Sequence, residues 1–158
     1  MALVAISQVT ITTHIRILGV SPDLVLLCTM SWVLLQGMRE GVLVALAGGI
    51  VLDALSGAPF GGMTLALLVV SCLGGLGEIN VFRTARFLPY AAIGIATLVY
   101  AGVLLFWLAM NGHAVVWGAT LWRVVLPEMV VNILCMPIIY GLIRWLCGRI
   151  YPQPVEWQ

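Results

Sequence analysis

From Leu88 to Met110 the chain runs LPYAAIGIATLVYAGVLLFWLAM without a single charged side chain. A helix needs about 20 apolar residues to cross the hydrocarbon core of a bilayer, and this stretch supplies them without interruption. Pro89 suits the first helical turn, where a missing N–H costs no hydrogen bond. The rest of the sequence extends the same constraint. Of 158 residues, 63% are hydrophobic and 8% charged, against about 25% charged in soluble domains. With a mean hydropathy of +1.15, the chain reads as an integral membrane protein whose surroundings are membrane lipid.

Charge and cysteine usage exclude other classes. Seven arginines against six acidic residues leave no basic stripe to neutralise a run of phosphates, so nucleic acid is not an expected partner. Cys28, Cys72, Cys135 and Cys147 lie inside apolar runs with no C-x-x-C pair, which indicates neither a zinc site nor a disulfide framework. The N-terminus lacks the basic region and cleavage site of a secretory signal peptide, so Met1 onward is read as mature protein.

These features predict an all-α, polytopic membrane helix bundle of about six transmembrane helices, forming one membrane domain over residues 1–158. Residues 122–147 form the last span, with Trp122 and Trp145 placed as interfacial aromatics. Between Leu24 and Val70 the apolar sequence is broken only by punctuation. Ser21, Pro22 and Asp23 read as N-cap, N1 and N2 of a helix over 22–37. The group from Gln36 to Gly41 breaks it, a further helix covers 41–56, and Gly57, Pro59 and Gly61 punctuate before a helix over 62–79. Residues 1–18 read as a partial or truncated first helix, because Ser7 to Ile15 alternates polar and apolar. If the spans alternate, Arg39, Arg83, Arg86, Arg144 and Arg149 share one side against Arg16 and Arg123, which predicts that side as cytoplasmic and the Gly57 to Gly61 turn as outward-facing.

Asp53 is the anomaly. A mid-membrane aspartate costs ~2.5 to 3.5 kcal/mol to insert, while each Leu, Ile or Val returns ~0.3 to 0.6, and eight such residues between Gly41 and Ser56 offset it. Gly41, Ala45, Gly49, Asp53 and Gly57 recur every four residues, a ridge of small residues suited to close helix packing. Asp53 is therefore expected to point into the bundle toward a specific partner. The plainer reading is a carboxylate that closes its own helix end, although an acid there opposes the macrodipole.

The last span carries a second polar line. In LPEMVVNILCMPIIYGLIRWL, Glu128 and Asn132 share a face, with Met136 and Tyr140 further along it. Pro127 and Pro137 each free a carbonyl one turn earlier, which a polar neighbour commonly satisfies. A kinked helix with Asn132 bonded inside the bundle and a partner-binding face are both open readings. No catalytic constellation is visible: His14 and His113 sit in separate connections, and no cofactor or metal site is expected.

The order SPDLVLL, SWVLLQG, GGIVLDALSGAPFGG and LPEMVVNILCMPIIYGLIRWL resembles the MreD family of the bacterial rod-shape machinery. Its specific parts are Asp53-x-x-Ser-Gly-x-Pro-x-Gly and the Pro127, Asn132, Pro137, Tyr140 spacing. The resemblance leads one to expect a fuller first helix before Gln8 and a smaller or neutral residue after Pro127, and this chain, with Glu128 there, departs from it at both places. The resemblance implies a non-enzymatic scaffold in the bacterial inner membrane that binds MreC and supports the RodA glycosyltransferase with its class B penicillin-binding transpeptidase. Through these it would couple wall synthesis indirectly to MreB. It also implies a fold similar to the substrate-binding components of energy-coupling-factor transporters. On that likeness the alternative is a small-molecule-binding component whose outward pocket is lined by Asp53, Glu128 and Asn132.

Overall fold

The computed structural model describes residues 22–57, 59–76, 88–114 and 116–150. The expected partial helix at 1–18, Arg16, Arg83 and Arg86 lie outside them. Among the described residues the secondary structure is entirely helical. Helix α1 is Leu24–Gln36, α2 is Met38–Ser56, α3 is Gly62–Leu76 and α4 is Leu88–Met110. Trp117–Thr120, a π-helical turn at Leu121–Val125 and Leu126–Ile150 follow one another without a break and form α5.

Helix starts differ from the sequence expectation in instructive ways. Asp23, not Ser21, is the N-cap of α1, and its side chain accepts from Leu26 N–H at 3.0 Å. The carboxylate thereby satisfies one of the first-turn donors of α1. The break between α1 and α2 narrows to Gly37 alone, with φ 95°, a backbone region that favours glycine. Met38, Arg39 and Glu40 are already helical, and Glu40 lies in the first turn of α2 where an acid suits the macrodipole. Helix α5 starts at Trp117 rather than 122. Its π turn immediately precedes Pro127, whose ring would clash with the carbonyl four residues earlier in regular α geometry.

Packing follows from small residues. Gly41 abuts Val33 and Gly48 abuts Val25, so α1 and α2 are antiparallel. Gly49 abuts the Thr64 backbone and Gly75 abuts Met38, so α2 and α3 are antiparallel and meet closely at both ends of their contact. Gly62 lies under the Trp107 indole, which sets α3 against the far end of α4. Asp23 meets Asn132, and Cys28 clusters with Ile143 and Cys147 further along α5, so α1 and α5 are parallel. Arg39, Arg144 and Arg149 thus share one end of the bundle, with the Arg149 guanidinium 4.6 Å over the Trp145 ring.

Helix α1 packs against all four other helices. Val25, Leu26, Leu27, Thr29, Ser31 and Val33 have no exposed surface, as a helix apolar all round requires. Helix α5 is the opposite. Val125, Val131, Asn132, Met136, Ile143 and Cys147 form its buried face, while Leu134 and Ile138 are 68% and 71% exposed. Two helices, Pro89–Met110 and Trp117–Arg149, are long and apolar enough to cross a membrane, and α1 and Gly62–Gly75 are shorter apolar helices.

Candidate functional site

The Asp53 question resolves locally. Helix α2 ends at Ser56 with Gly57 in the left-handed conformation, and Gly61, with φ 100°, leads into α3. Gly61 accepts the first helical bond, from Leu65 N–H at 2.9 Å, so it occupies the N-cap position but has no side chain to offer. Asp53 supplies the missing cap from the preceding helix. Met63 N–H donates to Oδ1 and Thr64 N–H to Oδ2, each at 3.0 Å, and the Thr64 hydroxyl donates to Oδ2 at 2.5 Å. Asp53 is buried, and its charge faces the positive end of α3, where donors would otherwise be orphaned. The carboxylate does not close its own turn; there, Ser56 donates its hydroxyl to the Asp53 carbonyl at 3.3 Å.

The ridge leading to Asp53 does not form one seam. Gly41 faces α1, whereas Gly49 faces α3, and Ala45 between them is fully buried. In the turn, Pro59 is half-buried, while Gly57 and Phe60 are exposed.

A second cluster joins three helices. Asn132 accepts from Asp23 N–H at 3.0 Å and donates through Nδ2 to the Thr97 hydroxyl oxygen at 3.2 Å. The Thr97 hydroxyl in turn donates to the Ile93 carbonyl at 2.9 Å. Asn132 and Thr97 have no exposed surface. Asn132 therefore uses both ends of its amide on neighbouring helices, rather than on carbonyls freed by Pro127 or Pro137. One turn on, Met136 is fully buried and its sulfur receives the Ser31 hydroxyl at 3.8 Å. Tyr140 packs half-buried on the core, whereas Pro137 is exposed.

The structure does not bring Asp53, Glu128 and Asn132 together as hydrogen-bonded neighbours: Asp53 serves the α2 to α3 corner and Asn132 the α1, α4, α5 junction. Asp23, Thr64 and Thr97 were not singled out from the sequence as members of these clusters. Asp23 carried a usable signal, a capping residue directly before an apolar run. Thr97 carried none, since a lone threonine in an apolar span does not reveal its partner. A groove of about 130 Å³ between α3 and α4, floored by Met30 and lined by Val70, Leu73, Gly74, Ile95 and Ala96, is apolar and includes none of the predicted site residues.

Comparison with known proteins returns one family. The model described as rod shape-determining protein MreD matches residues 1–146. No curated protein matches, and no solved structure does.

Proposed function

The chain belongs to the MreD family of rod shape-determining proteins, and from that premise we propose that it is a non-enzymatic, multi-pass scaffold of the bacterial cytoplasmic membrane. In this reading residues 1–158 form one membrane domain that binds MreC. Through MreC it supports the RodA glycosyltransferase and its class B penicillin-binding transpeptidase. The observation that carries the proposal is the extent of the family match, which takes in every described helix apart from the last residues of α5.

The geometry supports a scaffold over a vitamin-transporter-like binder. Asp53 and Asn132, two of the three side chains expected to line a pocket, are already engaged by main-chain and threonine groups of the same bundle. The exposed row Val130, Leu134, Ile138, Leu142 and Trp145 gives α5 a continuous apolar face, suited to lipid or to another membrane helix. The test is co-purification of the full chain with co-expressed MreC. Recovery of MreC together with a raised unfolding temperature supports the scaffold. Stabilisation by small solutes with no MreC recovered supports the binder.

A further inference from the structure

Glu128 is half-buried in the first turn of the regular α-helical part of α5, one turn before the fully buried Asn132. The opposing face of α4 is fixed by Thr97, which bonds Asn132, and by Gly94, which lies beside Met129 and Ile133. In an antiparallel pair the next layer brings Tyr100, three residues after Thr97, opposite Glu128. Tyr100 is 6% exposed. Among the described residues neither its hydroxyl nor the Glu128 carboxylate makes a hydrogen bond or ion pair. Two adjacent layers of one interface therefore differ: the Asn132 layer is satisfied from within the bundle, and the Glu128 layer is not.

Charge sharpens the contrast. Helices α1 and α4, which flank this face, contain no lysine or arginine, and the nearest acid in the adjoining layer is Asp23. On α5 itself Arg123 lies within the π turn, five residues before Glu128, and is exposed. An ionisable group turned inward at membrane depth requires a counterpart. A carboxylate beside a phenol, with no cation on either facing helix, selects a basic donor.

Resting on the scaffold reading, we propose that the Glu128 and Tyr100 layer is a receptor for one basic side chain, a lysine or arginine, carried on the membrane-embedded segment of a partner protein. The guanidinium or ammonium donates to the Glu128 carboxylate, and the Tyr100 hydroxyl completes the site.

The test uses the full chain with co-expressed MreC and compares wild type, Glu128→Gln, Glu128→Lys, Tyr100→Phe and Arg16→Ala. Glu128→Gln, close in shape, is expected to lower recovery of the partner about tenfold, the fold-change of one charge-assisted hydrogen bond, with the unfolding midpoint of the isolated chain unchanged. Glu128→Lys abolishes recovery, and a lysine-to-glutamate or arginine-to-glutamate change in the partner's membrane segment restores it. Tyr100→Phe gives a smaller loss. Wild-type recovery with no loss in Glu128→Gln overturns the charge pair and leaves the scaffold standing. An Arg16→Ala chain that loses as much as Glu128→Gln assigns the cation to this chain and overturns the proposal. If wild type recovers no partner, the scaffold reading itself falls, and the receptor with it.

Discussion

The Asp53 corner and the Asn132 junction solve one problem by different means. Both supply a polar acceptor at the start of a helix inside an apolar bundle, Asp53 to the first turn of α3 and Asn132 to the N–H of the N-cap residue of α1. Asp53 does so with a charge and across only ten or eleven residues of sequence, clasping a hairpin. Asn132 does so with a neutral amide and across 109 residues, joining the first and last described helices. A charge is tolerated where several donors converge on it and a helix dipole opposes it. Where single bonds must reach in two directions, an amide that both donates and accepts is the better fitted group.

The largest expected effect is at the charged clasp. Asp53→Ala orphans two main-chain donors and the Thr64 hydroxyl, at ~1 to 3 kcal/mol per buried unsatisfied donor. A marked fall in the thermal unfolding midpoint in detergent is expected, together with faster hydrogen exchange confined to residues 59 to 66. Exchange that rises equally in α1 would break the distinction between a local clasp and a global one.

Next is Gly49→Val, which forces side-chain carbons into the Thr64 backbone. Overpacking of this kind costs ~1 to 3 kcal/mol and is expected to separate α2 from α3, weakening the same corner by displacing Thr64, whose backbone and hydroxyl it crowds. An unchanged melting midpoint would show that the corner does not depend on the close approach.

Asn132→Leu keeps similar bulk but leaves Asp23 N–H without its acceptor and Thr97 without its donor. The expected loss is ~1 to 2 kcal/mol, with faster exchange at the start of α1 rather than at the turn. Thr97→Val comes last, at roughly 0.6 kcal/mol. A double-mutant cycle between Asn132→Leu and Thr97→Val checks the link, since additive effects would remove Thr97 from the junction.

The comparison also explains what could be read from the sequence. The apolar run of α4, the punctuation around Gly37 and Gly57, and the inward side of Asp53 follow from composition and spacing, which act within one or two turns. The identity of Asp53's partner did not, although it lies only ten residues away, because the cap is taken by a helix whose own N-cap position is a glycine. The extension of α5 before residue 122 was hidden by Pro127, which signals a helix start, while the chain passes it by widening into a π turn. Asn132 was recognisable as polar and inward. That it meets Asp23 and Thr97 depends on how three helices stack, which no local pattern encodes.

Helix α1 has the most enclosed surroundings of any described helix, yet several of the walls that enclose it are synthesised long after it. When it leaves the ribosome neither Thr97 nor Asn132 exists, and the acceptor for the N–H of its N-cap residue arrives only with α5. Maturation in the membrane must therefore run backwards in part, with the earliest of these segments waiting in lipid or beside the insertion machinery until the final one docks. A chain stopped before residue 126 would leave that segment without its lateral neighbour.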